Sequence, residues 1–297
     1  MSSSDQSATT IARWVFLLPL CAVLIWAINI VVTRYAVDVI SPISISFYRW
    51  LIALVLLTPF VLAKVIRHWT AVRVNLFKLA VLGFFGMVCY QGLAYTAAQY
   101  TTATNMGIIN AFIPVFSIVL SAIVLQIRPS VSALLGTMLS IFGLAYVVAQ
   151  GDIQRVLQGQ HIVGDLMMIV AVVLYAGYGV LLQRWRLQLP LLVMLYMQIC
   201  FAVIFHVPLL MYFGLDDLNM TNISPVVYAA IFPSIIAPMV WMMSIQSLGA
   251  NRSSVFLNLA PIFTAIIAYV FLQEQWTMYH TIGGAMVLAG ILLVQKK

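Results

Sequence analysis

Aromatic and amide side chains at helical spacings are the residues of this sequence best suited to contact a small organic molecule. Trp26 and Asn29 stand three residues apart, and so do Tyr175 and Tyr178, so each pair can face one side of a helix. Rings and amides in this arrangement suit a planar organic ligand. The alternative is packing between helices with an interhelical hydrogen bond, and the spacing leaves both interpretations open.

A second group of polar and aromatic residues lies in two apolar stretches about half a chain apart. Gln91 and Tyr95 are spaced four residues apart and follow Tyr90, while the corresponding stretch carries Ser234 and Trp241. Both stretches are polar enough to line water. Tyr95 is explained equally well as part of an aromatic belt at a membrane surface.

Asparagines flank two prolines that also lie half a chain apart. Asn105 and Asn110 precede Pro114, and Asn258 precedes Pro261. Proline removes a backbone donor and kinks a helix, so the amides beside it can line a hinge or a site. Structural kinking without any ligand contact is the alternative for the prolines themselves.

Arg49, in the stretch Phe47-Tyr48-Arg49-Trp50, is the candidate charge partner for an anionic substrate group. Its long side chain could instead snorkel to water or tether helices, and Arg49→Lys would then preserve function. We expect His206 to be a hydrogen-bonded core histidine rather than a proton relay. No acidic residue lies deep in an apolar stretch, which argues against tight coupling to protons or sodium.

Signals for catalysis or for a cofactor are absent from the sequence. It contains no Walker motif, no His-Glu-x-x-His zinc helix and no Gly-x-Ser-x-Gly nucleophile turn. Cys21, Cys89 and Cys200 sit singly in apolar stretches, without metal-ligand spacing. We therefore predict no enzyme activity, no metal and no cofactor. A membrane enzyme and an inert helical scaffold are the alternatives of a different class.

The composition requires these residues to lie in membrane-spanning helices. Of 297 residues, 64% are apolar and 7% are charged, whereas a soluble domain carries about 25% charged residues. The net charge of +7 comes from scattered basic residues without interleaved aromatics, which argues against nucleic acid as a partner. Residues 1–12 are polar and predict a disordered cytoplasmic tail. The first apolar stretch lacks a small-residue cleavage site, so it is expected to be an uncleaved span.

Ten segments are long and apolar enough to cross a bilayer as helices, which takes about 20 residues each. We place them at Trp14 to Thr33, Ser44 to Ala63, Leu76 to Ala98, Ala103 to Gln126, Ser130 to Ala149, Val163 to Gln183, Pro190 to Phe213, Pro225 to Leu248, Ser253 to Leu272 and Trp276 to Val294.

The charges favour ten spans with both termini in the cytoplasm, because short cytoplasmic loops retain Lys and Arg. The basic residues on the predicted inside are Arg13, Lys64, Arg67, Arg73, Lys78, Arg128, Arg184, Arg186, Arg252, Lys296 and Lys297. Arg34 and Arg155 fall outside. The acidic residues on the predicted outside are Asp38, Asp152, Asp165, Asp216, Asp217 and Glu274. Adding or removing a span would disturb both patterns.

The chain carries an internal repeat with an offset of 147 residues, at which Gln99 to Val147 aligns with Gln246 to Val294 without a gap. The identical pairs are Gln99 and Gln246, Ala103 and Ala250, Pro114 and Pro261, Phe116 and Phe263, Leu125 and Leu272, Gln126 and Gln273, Gly136 and Gly283, Gly143 and Gly290, and Val147 and Val294. Because each half holds five spans, an odd number, the second half must insert upside down, the inverted design of many transporters. The glycines predict close packing of spans five and ten.

Several of these motifs resemble the drug/metabolite transporter superfamily, in its EamA-type ten-helix branch. They are Trp26-Ala27-Ile28-Asn29-Ile30-Val31-Val32-Thr33-Arg34, Pro42, Phe47-Tyr48-Arg49-Trp50, Asn258-Leu259-Ala260-Pro261, Phe271-Leu272-Gln273-Glu274-Gln275-Trp276, Gly283 and Gly290. The resemblance covers nearly the whole chain and is greatest to aromatic amino-acid exporters of the YddG type. One departure is Gln126-Ile127-Arg128, where the repeat often carries a glutamate that is retained here as Glu274.

The resemblance implies an all-α membrane protein of ten transmembrane helices, arranged as two inverted five-helix repeats over residues 13–150 and 151–297. It implies export of aromatic and other neutral amino acids across a bacterial inner membrane by alternating access, with efflux of another small metabolite or an amphipathic drug as the alternative. The expected partners are the small-molecule substrate and the lipid bilayer, and the oligomeric state, monomer included, is left open. The substrate site is expected between the halves, at Trp26, Asn29, Tyr90, Gln91, Tyr95, Asn110, Tyr175, Tyr178, Trp241 and Asn258, with Arg49 as a charge partner.

Overall fold

The computed structural model describes residues 13–126, 130–152 and 162–295, and in these ranges the chain forms helices and turns without any strand. The predicted tail of residues 1–12 lies outside the described ranges. The same holds for Arg128, Arg155, Lys296 and Lys297, so their predicted sidedness stays a prediction.

Ten long helical segments follow one another in the described ranges, and each corresponds to one predicted span. They are α1 (Leu17–Ala36), α2 (Pro42–Arg67), α3 (Leu76–Ala97), α4 (Ala103–Val124), α5 (Val131–Val148), α6 (Val163–Trp185), α7 (Leu191–Phe213), α8 (Ile223–Leu248), α9 (Arg252–Leu272) and α10 (Met278–Gln295). By length and composition, the first nine can cross a membrane, and α10 contains a shorter apolar helix, Met278–Leu293. The predicted all-α membrane fold is therefore confirmed.

Successive helices run in opposite directions, so their ends lie on two faces. We call the face that holds the N-terminal end of α1 the basic face; the described helix ends there carry Lys64, Arg67, Arg73, Lys78, Arg184 and Arg252. The opposite face is the acidic face, and its helix ends and loops carry Asp38, Asp152, Asp165, Asp216, Asp217 and Glu274. Helix α2 continues four residues beyond the predicted Ala63, because basic residues are favourable at a helix C-terminus.

Helices α5 and α10 pack closely along their glycines, as predicted from the repeat. A Cβ atom on Gly143 would lie 2.7 Å from the Gly283 carbonyl oxygen, and one on Gly290 would lie 2.5 Å from that of Gly136. Exchange of the two halves at the 147-residue offset converts the first contact into the second. The seam between α5 and α10 is therefore two-fold related.

The other helix contacts obey the same exchange of halves. Helix α1 packs against α8 and α9 just as α6 packs against α3 and α4, while α2 packs on α7 and α4 on α9. A hydrogen bond of 3.3 Å from the Ser140 hydroxyl to the Val287 carbonyl joins two positions that are themselves 147 residues apart. The chain is thus two inverted five-helix halves, as expected.

The helices that meet between the halves depart from α-helical geometry at equivalent places. Helix α3 contains a π-helical turn at Phe84–Cys89, and α8 contains one at Phe232–Ile236. Turns of this kind widen the helix locally and often occur at functional sites. No local sequence pattern predicts these turns apart from Pro233, which lies in the π-helical turn of α8.

The two repeated prolines interrupt their helices, as predicted. Helix α4 breaks at residues 111–112 and resumes at Ile113, so that Pro114 lies in the first turn of the new segment. Helix α9 passes through a 3₁₀ turn, Phe256–Leu259, before its last segment, Ala260–Leu272, in which Pro261 lies in the first turn. Proline fits both places because a first-turn residue needs no backbone donor.

Candidate substrate site

Three tyrosine rings from α3 and α6 form one cluster between the halves. The ring centroids of Tyr90 and Tyr175 lie 4.6 Å apart, and those of Tyr175 and Tyr178 lie 5.4 Å apart. The Tyr90 hydroxyl donates a 3.0 Å hydrogen bond to the Asn110 side-chain oxygen of α4. The structure therefore brings together four of the predicted site residues, and we call the three rings the tyrosine cluster.

Trp26 of α1 and Trp241 of α8 form a second aromatic contact, with ring centroids 5.5 Å apart. Helices α1 and α8 are the counterparts of α6 and α3. The tryptophan pair is therefore related to the tyrosine cluster by the exchange of halves, and both groups lie between the halves. Nearby, the Tyr228 hydroxyl donates a 3.0 Å hydrogen bond to the Ile25 carbonyl and fastens α8 to α1.

Arg49 is buried inside the bundle with 3% of its surface exposed. Its Nε donates a 2.7 Å hydrogen bond to the Ser234 hydroxyl, and its Nη1 donates one of 3.3 Å to the Tyr95 hydroxyl. Its guanidinium carbon also lies 4.9 Å from the ring centroid of Trp50. Burial rules out the snorkelling alternative for Arg49, and the 1% exposure of Tyr95 rules out the aromatic belt for that residue.

The surroundings of Arg49 are aromatic and uncharged. Its partner Tyr95 lies on α3, the helix that also carries Tyr90 of the tyrosine cluster. Among the described residues the only ion pair joins Arg34 and Asp38 at 3.7 Å, on the acidic face. Arg49 is therefore a buried cation whose contacts within the described chain are all neutral.

Two of the predicted amide residues carry buried polar atoms without hydrogen-bond partners in the described part of the chain. They are the side-chain oxygen of Asn29 and the side-chain nitrogen of Asn258. These residues lie on α1 and on the 3₁₀ turn of α9, which pack together. Gln91 is 8% exposed, and no hydrogen bond links it to the other candidates within the described ranges.

The dipeptide Arg49-Trp50 connects the π-helical turns of both halves. Arg49 bonds Ser234 in the α8 turn, and the Trp50 indole donates a 3.0 Å hydrogen bond to the Met87 carbonyl in the α3 turn. Met87 and Ser234 are 147 residues apart and thus occupy equivalent positions. Two adjacent side chains of α2 therefore form hydrogen bonds to equivalent positions in the π-helical turns of the two halves.

A polar cluster on the acidic face was not anticipated. Asp165, which was predicted on the outer side, lies in the first turn of α6 on the acidic face and is 1% exposed. Its carboxylate accepts hydrogen bonds from the Thr101 hydroxyl and from the Asn105 amide, and the Asn105 oxygen bonds His280 at 3.1 Å. Gly164 allows this burial, because without a side chain the start of α6 can pack directly on the backbone at Tyr100. A Cβ on residue 164 would lie only 2.7 Å from the Tyr100 carbonyl carbon. A Gly-Asp pair at a predicted helix start was the available signal.

Glu274, in the loop between α9 and α10, caps the N-terminus of α4. Its carboxylate accepts hydrogen bonds of 2.7 Å from the Ala103 amide and of 3.0 and 2.7 Å from the Thr104 amide and hydroxyl. A carboxylate satisfies the free amides of a helix start and complements its dipole. Glu274 therefore has a structural role as a helix cap. This role does not require a matching glutamate in the first half.

A cleft of about 670 Å³ opens on the acidic face beside these carboxylates. Its lining includes Arg34, Asp38, Thr101, Asn105 and Glu274, and it contains none of the ten predicted substrate residues or Arg49. The cleft and the aromatic groups are thus separate features of the bundle.

His206 is the hydrogen-bonded core histidine that we expected. Its ring bonds the Ala202 carbonyl at 2.7 Å and the Ser46 hydroxyl at 2.9 Å. No group of three or more potential metal ligands occurs in the described ranges.

The comparisons with known proteins agree with this architecture. The model of the EamA-like transporter family matches residues 13–149 and 162–295, which is most of the chain. A solved crystal structure superposes with a TM-score of 0.62 at 17% sequence identity, over 94% of this chain and 95% of the other. At that identity the superposition supports the fold alone.

The curated relatives are transporters of similar length. An uncharacterized transporter of Archaeoglobus fulgidus is 28% identical over 92% of this chain and 94% of its own. The uncharacterized transporter YyaM of Bacillus subtilis is 27% identical, over 87% and 86%. A probable terminal-alkyne amino-acid exporter of Streptantibioticus cattleyicolor is 25% identical, over 74% and 73%.

Proposed function

The chain belongs to the EamA-like transporter family, and from that premise we propose that it exports neutral amino acids, aromatic ones included, by alternating access between its two halves. The proposed route runs across a bacterial inner membrane, with both termini in the cytoplasm. The excess of basic residues on the basic face supports this orientation, because such residues resist translocation.

The observation that carries the substrate proposal is the juxtaposition of two aromatic groups and a buried cation between the halves. The tyrosine cluster and the Trp26–Trp241 pair offer flat apolar surfaces. Arg49 bonds Tyr95 of α3 and Ser234 of α8, the helices that carry Tyr90 and Trp241. Aromatic side chains pack on such surfaces, and a carboxylate complements a buried arginine. The probable terminal-alkyne amino-acid exporter among the relatives gives further support.

Efflux of another small metabolite or of an amphipathic drug is the alternative within the same fold. Aromatic surfaces would serve such compounds equally well. A cationic drug, however, would be repelled by Arg49, which has no neutralising carboxylate among the described residues. That charge favours amino acids over cationic drugs.

Uptake of labelled phenylalanine, tyrosine, methionine and threonine into liposomes containing the purified protein tests the proposal. We expect saturable flux for phenylalanine and tyrosine, and competition by the other two amino acids. Protein-free liposomes give the background. Flux no greater than that background for all four amino acids would contradict the amino-acid proposal.

A further inference from the structure

We infer that the Arg49 guanidinium binds the carboxylate of the transported amino acid, so that transport requires a free carboxylate. The inference rests on the proposed function and specifies the substrate class of the same site. It follows from the position of a buried arginine that is held by Ser234, Tyr95 and Trp50, between the helices that carry Tyr90 and Trp241.

The first step is the charge of Arg49. Arginine stays protonated in proteins, and a buried charge without an opposite charge is costly. Here two hydroxyl acceptors and one aromatic ring stabilise the cation, and no carboxylate of the described residues lies within ion-pair distance. An anionic group from a ligand would supply the missing charge.

The second step is the geometry of the donors. The guanidinium has five N–H donors, and hydrogen bonds within the described residues use its Nε and Nη1. No hydrogen bond from Nη2 occurs in that part of the chain, so the Nη1–Nη2 edge retains free donors. This edge is the one that binds a carboxylate through two parallel hydrogen bonds. Trp50 and Ser234 hold the plane of the group and so preorganise that edge.

The third step is the surroundings into which the rest of the substrate would extend. One partner of Arg49, Tyr95, lies on α3 together with Tyr90, and the other, Ser234, lies on α8 together with Trp241. A carboxylate bound to Arg49 would therefore lie between the two helices that carry residues of both aromatic groups. The substrate's ammonium group needs a hydrogen-bond acceptor. The unpartnered side-chain oxygen of Asn29 is an acceptor of this kind, on a helix that packs against the same π-helical turn of α8 as α2 does.

The test compares three probes that differ in the carboxylate: phenylalanine, phenylalaninamide and phenethylamine. Each competes with labelled phenylalanine for uptake into liposomes containing the wild-type protein. We expect phenylalaninamide and phenethylamine to compete at least tenfold more weakly than phenylalanine, because they lack the anion. Equal competition by phenylalaninamide and phenylalanine would overturn the inference while leaving the amino-acid transport proposal intact. Absence of phenylalanine uptake would overturn both.

Variants of Arg49 test whether this residue causes the preference for phenylalanine over phenylalaninamide. Arg49→Lys keeps the charge but loses the fork of donors, so we expect the KM for phenylalanine to rise about tenfold. Arg49→Gln should abolish the preference for phenylalanine over its amide. Arg67→Gln is the matched control, because Arg67 is an exposed arginine on the same helix, and it should leave the preference unchanged.

A purely structural role for Arg49 gives a different result. If Arg49 only ties α2 to α8, Arg49→Lys would lower the thermal stability in detergent without changing the ratio of the two competitors, and that result would overturn the inference. The wild-type competition needs no variant, so the inference stays falsifiable even if Arg49→Gln fails to fold.

Discussion

At the scale of single residues, Tyr175 is the centre of the tyrosine cluster, because its ring contacts both Tyr90 and Tyr178. The i, i+3 spacing of Tyr175 and Tyr178 predicted a shared face, and their rings do lie in contact. The contact of Tyr90 with Tyr175 depends on how α3 packs on α6, which no local pattern encodes. The partners of Arg49 were not predictable for the same reason, since Ser234 lies on α8, far along the chain from α2.

Removal of the central ring of the tyrosine cluster should weaken substrate binding. Tyr175→Ala loses contacts with two rings, and we expect the KM for phenylalanine to rise about tenfold, the equivalent of ~1.4 kcal/mol. Tyr175→Phe should retain most of the affinity because the ring remains. Flux into proteoliposomes measures both variants.

The control for that substitution is Tyr212→Ala. Tyr212 is 83% exposed at the end of α7, where its ring packs on Phe213. Its removal should leave the KM unchanged. An equal effect of Tyr175→Ala and Tyr212→Ala would show that the tyrosine cluster does not bind the substrate.

At the scale of helices, the spans and their breaks at proline were predictable, and the π-helical turns were not. A span is predictable because lipid requires about 20 apolar residues with satisfied backbone groups. A π-helical turn arises when packing accommodates one extra residue, so its cause lies in tertiary contacts. In α3 the turn brings Gly86 against Tyr178, where an added Cβ would lie 2.9 Å from the ring.

Addition of a methyl group in the π-helical turn of α3 should therefore disturb the tyrosine cluster. We expect Gly86→Ala to displace the Tyr178 ring and to lower phenylalanine flux severalfold. Gly92→Ala, on the same helix, is the matched control because its Cβ would meet nothing within 4 Å. It should preserve flux and stabilise the helix by about 0.5–1 kcal/mol. Full flux by Gly86→Ala would contradict the role of this turn.

Loss of the Glu274 cap should destabilise the acidic face. Glu274→Ala removes three hydrogen bonds from the start of α4, and the loss of a helix cap costs about 1 kcal/mol. Thermal unfolding in detergent should show a lower Tm for this variant. Asp217→Ala, which removes a carboxylate that makes no side-chain hydrogen bond in the described chain, should leave the Tm unchanged. A lower Tm in both variants would point to net charge rather than capping.

At the scale of the whole molecule, the inverted repeat was the strongest prediction because physical necessity supports it. An odd number of spans in each half requires the second half to insert upside down. The repeat is recognisable because the two halves share Gly and Pro residues at matching positions, whereas most of their apolar residues differ. The described helices pack in the predicted two-fold pattern. The cleft on the acidic face was unpredictable, since it depends on how loops and helix ends of both halves come together.

The glycine seam between α5 and α10 should tolerate no enlargement. A Cβ on Gly283 would lie 2.8 Å from the Gly143 carbonyl oxygen and would also clash with Val147. We expect Gly283→Ala to cost about 1–3 kcal/mol, visible as a lower Tm in detergent. Its neighbour Gly284 has 3.9 Å of space before Ile108, so Gly284→Ala should be neutral. Equal Tm values for the two variants would refute the close packing of this seam.

Counterflow is the measurement that tests most directly whether a site between the halves carries neutral amino acids in alternation. Proteoliposomes loaded with unlabelled phenylalanine are diluted into a trace of labelled phenylalanine. An alternating site predicts a transient accumulation of label above equilibrium, which Tyr175→Ala reduces and Gly92→Ala leaves intact. Entry of label that never exceeds equilibrium, for every neutral amino acid tried, would contradict the account.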